Sequence, residues 1–245
     1  MASKPHTDDV YRKKRIPKNP IKFKTPLNEE QKLAKAKILE NTVTLLSGQA
    51  GSGKTFLACN IALDGLLRRM YKKIIITRPT VSKEEIGFLP GDLREKMDPW
   101  VQPIYQNFFQ LYDKVKVEKL IEDGKIEIVP VSFMRGRTFL DSMIIVDEAQ
   151  NVTHQQMEMI TSRLGLRSKM MVCGDAQQTD LKKKSDSGFK FLYTAARKIK
   201  NLEAITLTTN HRNEIVEDLL NYYNDAVDKG ASITTSGSYI YNSKN

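Results

Sequence analysis

Residues 48–55, Gly-Gln-Ala-Gly-Ser-Gly-Lys-Thr, set three glycines, a lysine and a threonine between two apolar stretches. Before them lies TVTLL (42–46), β-branched and of strand length; after them KTFLACNIALDGLLRR (54–69) repeats apolar residues at helical spacing. A strand that becomes a helix through such a loop has the composition of a phosphate cradle. Glycines let the backbone curl until successive N–H groups point at one anion, and the helix N-terminus adds partial positive charge. Gly48, Gln49, Ala50, Gly51, Ser52 and Gly53 form the expected loop. Lys54 is placed to reach the β- and γ-phosphates of a nucleoside triphosphate, and Thr55 to put its hydroxyl on Mg2+. A purely structural turn has no use for that lysine followed by that threonine.

A cradle of this kind needs an acidic partner at the end of a neighbouring buried strand. MIIVDEAQ (143–150) supplies one, with Asp147 expected to complete the Mg2+ environment and Glu148 to orient or deprotonate an attacking water. The pair points to hydrolysis of the triphosphate rather than to its binding alone.

Elements that could position these residues follow from the pattern. LNEEQKLAKAKILE (27–40) reads as a helix with Asn28 as N-cap and Gln31 completing a capping box. Strands are predicted at 73–77, 125–130, 142–148, 168–175 and 203–208, and helices at 153–164, 188–200 and 212–228. Apolar runs with charges only at their ends describe strands buried on both faces, so the expected fold is α/β with a mostly parallel sheet. The polar clusters SGQAGSGKT, TRPT, DEAQN and GDAQQTD all fall where strands end, which is where such sheets collect ligands.

Residues 78–124 read as a helical insertion. Its aromatics, Trp100, Tyr105, Phe108, Phe109 and Tyr112, stand at partly helical spacing, and core packing is the first reading, a base-stacking platform the second.

The 245 residues are 40% hydrophobic, enough for one sizeable core. No stretch approaches the ~18 apolar residues of a membrane span, and the first twenty residues lack the apolar centre of a secretory signal. Cys59 and Cys173 sit in apolar patterns, as reduced buried thiols of a cytoplasmic protein would. The net charge of +10 is uneven: residues 1–25 carry eight basic side chains against Asp8 and Asp9. Such an arm suits a polyanion, with nucleic acid the commonest, and equally suits a solvated tail.

With these residues in place, the chain resembles superfamily 1 helicase motors: AGSGKT in the cradle, DEAQ in the acidic motif, and GDAQQTD fitting that superfamily's G-D-x-x-Q. The resemblance assigns a catalytic role to Gln178 and adenine recognition to Gln31, whose amide can pair with both the N6 donor and the N7 acceptor of adenine. Capping remains the other reading of Gln31. It also puts a γ-phosphate contact on Arg212 in LTTNHRNEIVEDLLNYYN, for which a helix-start arginine is the alternative. More narrowly, TRPTVSKEEIGFLPGDLREKMDPWVQPIY and SFMRGRTFLDSMIIVDEAQN are similar to the signature blocks of the PhoH family of phosphate-starvation-type ATPases. The likeness covers roughly residues 27–225. NHRNEI departs from that family's VRHP-like wording, which weakens the Arg212 assignment, and no nuclease or KH domain of the kind some relatives carry is expected.

The resemblance implies a single RecA-like P-loop NTPase domain over residues 26–229, with a basic flexible arm (1–25) and a polar tail (230–245). It implies ATP and Mg2+ as ligands and single-stranded nucleic acid, most readily RNA, as partner. One motor lobe per chain leaves the nucleotide without an opposing surface, so a homo-oligomeric ring with nucleotide between subunits is expected, and the resemblance to PhoH proteins implies that it is a hexamer. Arg78, Arg135 and Arg137 are candidates for phosphate contact, nucleic-acid binding or a finger donated to a neighbour; the sequence does not choose among these. An ATP-switched assembly module without motor work is the alternative function.

Overall fold

The computed structural model describes residues 21–79, 93–176, 178, 181, 183–196, 198–213, 215–216, 218–219, 222–223, 231–233 and 239–241. Most of the basic arm, the GFLPGD segment and the side chain of Trp100 lie outside them. The chain divides into two compact units, Met1–Thr209 and Asn210–Asn245.

The first unit opens with helix α1 (Glu29–Glu40), and the capping box is formed. The Gln31 N–H donates to Asn28 Oδ1 at 2.7 Å, and the Asn28 N–H donates to Gln31 Oε1 at 3.2 Å. Strand β1 (Val43–Ser47) follows, then α2 (Lys54–Leu67), β2 (Lys73–Thr77), α3 (Leu93–Leu111), α4 (Lys114–Glu122) and β3 (Ile126–Ile128). The unit continues with β4 (Ser142–Val146), α5 (His154–Thr161), β5 (Lys169–Gly174), α6 (Gly188–Ala195) and β6 (Leu202–Thr206). The six strands make one sheet in the order β3-β2-β4-β5-β1-β6, and every pairing is parallel.

Continuous apolar strands make sense in this sheet because alternate side chains point to opposite faces. Leu46, Ile74, Ile76, Ile145, Met171 and Cys173 enter one core with residues of α1, α2 and α3. Leu45, Ile75, Ile144, Val146, Met170 and Val172 enter the other, with Met157 and Ile160 of α5 and Phe189 of α6. The insertion serves the first of these. Ile104, Phe108 and Leu111 of α3 recur at helical spacing and are fully buried, with Phe109 and Tyr112 packed beside them. Core packing thus accounts for Phe108, Phe109 and Tyr112.

Element ends differ from the sequence pattern in understandable ways. β3 is only three residues long; Pro130, which has no N–H to give a ladder, leads into a single 3-10 turn at Val131–Phe133. Helices α5 and α6 stop at Thr161 and Ala195, short of the predicted 164 and 200. Within the second unit, residues 215–216, 218–219 and 222–223 are helical. The segment read as a polar tail holds a small antiparallel pair, β7 (Ala231–Ile233) with β8 (Tyr239–Tyr241).

Lys169 is a buried lysine that no sequence pattern singled out. It is 6% exposed, and its ammonium donates to the carbonyls of Ile38, Leu39 and Asn41, where α1 ends. These acceptors have no partner further along the helix, so the cation both caps them and meets the negative end of the helix dipole. Lys169→Met leaves carbonyls buried beside a thioether. With charged hydrogen bonds contributing about 1.5–3 kcal/mol each, the melting temperature is expected to fall by about 5–10 °C. Thermal unfolding followed by circular dichroism checks this; a fall under about 2 °C removes the capping role.

Candidate nucleotide site

The loop between β1 and α2 has the backbone that a phosphate cradle requires. Gly48 (φ 151°) and Gly53 (φ 79°, the N-cap of α2) occupy conformations that a side chain would strain. A Cβ at Gly48 would also lie 2.5 Å from the Leu207 carbonyl oxygen and 2.6 Å from Ser52 Oγ. Ser52 is buried, and its hydroxyl has no hydrogen-bond partner among the described residues. Lys54 starts α2 and folds back over the loop, its Nζ donating to the carbonyls of Gly48 at 2.6 Å and Gln49 at 2.8 Å. A curled backbone, a helix N-terminus, an orphaned hydroxyl and an ammonium converge there, a donor set that fits a polyphosphate.

Asp147 stands one residue past β4, and β5 lies between β4 and β1. Neighbouring strands are about 4.8 Å apart, so the two motifs leave the sheet roughly 10 Å from one another. Helix α2 packs against both β4 and β5 and closes that gap. Thr55 in its first turn donates its hydroxyl to Asp147 Oδ1 at 2.7 Å. Hydroxyl and carboxylate are hard oxygen donors of the kind Mg2+ takes when phosphates supply the remaining ligands. Among the described residues no group of three His, Cys, Asp or Glu side chains could hold a metal unaided. Asp147 is 6% exposed, and burial holds its carboxyl above the usual range, partly offset by the Thr55 hydroxyl.

Glu148 adopts a left-handed conformation, φ 50° and ψ 39°. For a residue with a Cβ that costs on the order of 1–2 kcal/mol, and such outliers gather where geometry serves chemistry. Its two carboxylate oxygens face different partners. Gln150 Nε2 donates to Oε2 at 2.6 Å, and Arg78 Nη2, at the exit of β2, lies 3.9 Å from Oε1. Cys59 and Cys173 are buried beneath the cradle, and burial raises both thiols well above their ordinary value.

The remaining candidates separate. Arg78 joins the acidic pair. Arg137 is committed within its own chain, 2.8 Å from Glu127 Oε1 and over the Phe139 ring at 4.8 Å. Arg135 is exposed beside Gly136, which turns the loop at φ 78°. Gln31 is 4% exposed and acts as a cap. Its neighbour Glu30 accepts from the Thr208 N–H and hydroxyl and the Thr209 N–H, tying α1 to the exit of β6. Burial pushes the Glu30 carboxyl upward, but these donors outweigh it and hold the pKa at about 2. Gln178 is exposed beyond β5. Arg212 lies in the second unit, where its backbone N–H donates to Asn210 Oδ1. Sequence reasoning gave Gln150 no role; its only trace was the fourth letter of DEAQ.

A parallel sheet with a glycine-rich cradle after one strand and an acidic pair after another, one strand intervening, defines a RecA-like P-loop NTPase domain. The large terminase of a thermophilic bacteriophage shares this fold, with TM-score 0.50 and 12% identity over 80% of this chain and 50% of that one. The chain belongs to the PhoH-like protein family, whose pattern matches residues 24–224. A PhoH-like protein of Synechocystis is 42% identical over 180 residues, 73% of this chain and 54% of that protein. One of Bacillus subtilis is 38% identical over 227 residues, 85% of this chain and 70% of that protein. The chain therefore spans about half the length of the Synechocystis relative. Among the described residues no helix is long and apolar enough to cross a membrane.

Proposed function

We propose that this protein is a Mg2+-dependent ATPase of the cytoplasm whose turnover is coupled to single-stranded nucleic acid, RNA foremost, in a ring of identical subunits. The observation that carries the ATPase is the 2.7 Å contact between Thr55 and Asp147, with the strained Glu148 next in the chain. The backbone of residues 48–53 and Lys54 bind the phosphates. Thr55 and Asp147 would hold Mg2+, which when bound would supply positive charge against the phosphates. Glu148 accepts the proton of the attacking water, and Gln31 reads adenine once its amide turns to the base. Gln178 contacts the γ-phosphate, and the exposed Arg135 serves as finger for a neighbour or binds the polymer.

Coupling to a polymer rests on the family's helicase-like motifs and on the basic arm. ATP turnover measured with and without poly-RNA and single-stranded DNA, alongside particle size with ATP and Mg2+, tests both parts. Stimulation and a hexameric mass are expected. Turnover and binding indifferent to both polymers would favour an ATP-switched assembly module, and a fully active monomer would remove the ring.

Removing residues 1–25 takes away eight basic side chains. Each phosphate that is no longer neutralised lowers the slope of log affinity against log salt by roughly 0.7 for a single strand. The truncated chain is therefore expected to bind RNA more weakly and with a flatter salt dependence, at unchanged basal ATPase. An identical slope in fluorescence-anisotropy titrations would show that the arm is only a solvated tail.

A further inference from the structure

Gln150 joins three segments that the ATPase reading treats separately. The residue is only 7% exposed, and both ends of its amide are used. Nε2 donates to Glu148 Oε2 at 2.6 Å, and Oε1 accepts the Asp175 N–H at 3.1 Å. A carboxylate needs a donor and an N–H needs an acceptor, so the partners fix which way the amide points. The backbone carbonyl of Gln150 accepts the hydroxyl of Ser187, itself fully buried, at 3.0 Å. Asp175 begins the segment that carries Gln178, and Ser187 ends it just before α6. Packing leaves this arrangement little slack: a Cβ on Gly174 would lie 3.1 Å from both the N and the Oε1 of Gln150.

We propose that Gln150 is a positioning residue that fixes the carboxylate of Glu148 for hydrolysis and, through the same amide, ties it to the start of the 175–187 loop. The proposal rests on the ATPase reading of Glu148. Glu148 sits in a left-handed conformation, and among the described residues its carboxylate would otherwise be directed by the longer approach of Arg78, at 3.9 Å. The short amide contact holds it in one place. Because the same amide holds the Asp175 N–H, any shift of the loop is felt at the hydrolytic carboxylate.

Two variants separate the two contacts. Gln150→Glu keeps an acceptor for the Asp175 N–H but sets a carboxylate against Glu148, whereas Gln150→Met, of similar length, removes both contacts. For each, kcat falls by about 10²-fold, as misplacement of a reacting group by an ångström does, while KM for ATP stays within about threefold because the cradle is untouched. Hydrogen exchange in the nucleotide-free chain is the second readout. The Asp175 amide exchanges faster in Gln150→Met and at the original rate in Gln150→Glu. Wild-type kcat in Gln150→Glu overturns the positioning role. Unchanged Asp175 exchange in Gln150→Met overturns the tie to the loop, and if Gln150→Met does not fold, Gln150→Glu decides the question alone. Glu148→Gln is the control: wild-type turnover in that variant means that the ATPase reading of Glu148 has failed, whereas a dead Glu148→Gln beside active Gln150 variants refutes only the present inference.

Discussion

Glu148→Gln is expected to bind ATP with the affinity of the original protein and to hydrolyse it about 10²–10⁴ times more slowly, the range that a positioned general base contributes. The substitution keeps side-chain length and leaves an acceptor for Gln150 Nε2, so the 2.6 Å contact can persist. It also leaves Thr55, Asp147 and the cradle alone. What disappears is the capacity to take a proton from water. Single-turnover hydrolysis, read beside binding of a fluorescent ATP analogue, distinguishes the two effects. Hydrolysis at more than about a tenth of the original rate would mean that another group positions the water.

Lys54→Ala acts on the other half of the site, and its effect falls on binding. The ammonium lies over the cradle, within 2.8 Å of the Gly48 and Gln49 carbonyls, where a β- or γ-phosphate would take over its donors. Charge-assisted contacts contribute about 1.5–3 kcal/mol each. Without an ammonium between two phosphates, ATP binding is therefore expected to weaken by on the order of 10²–10⁴. The residue opens α2 rather than filling a core, so the melting temperature should move by less than about 3 °C. Calorimetric titration with ATP and Mg2+ makes the measurement. Affinity within about threefold of the original would place the triphosphate elsewhere on the molecule.

The two variants divide the site along the line by which it can be read from sequence. Gly48–Thr55 is a local device: its glycines, lysine and threonine do their work within one turn of chain, so their types and order reveal it. Asp147 and Glu148 are nearly as legible, because a buried strand ending in two carboxylates has few other uses. Nothing in either motif states the distance between them; in the structure the Thr55 hydroxyl donates to Asp147 Oδ1 at 2.7 Å across 92 residues of sequence. The ambiguous residues are of another kind. Arg78 follows a strand directly and Arg137 lies in the MRGRT loop; the sequence offers both the same roles, yet one approaches Glu148 and the other is held by Glu127 and Phe139. Nothing local distinguishes them. Gln31 shows the converse, since its local role as a cap is fully formed in the structure, while adenine recognition depends on a base arriving from outside the helix.

By itself, then, the sequence indicated most of the elements and the composition of the cradle loop of this PhoH-like protein, because hydrophobic period, capping and glycine-rich loop composition are short-range properties of neighbouring residues. The tertiary structure alone decided which side chains distant in sequence share a contact. The sheet order sets β5 beside β4, and that neighbourhood brings the Asp175 N–H, at the start of the Gln178 loop, to Gln150. Order in a sheet depends on how whole faces of apolar surface are buried together, a sum over distant residues that no single stretch of the chain contains.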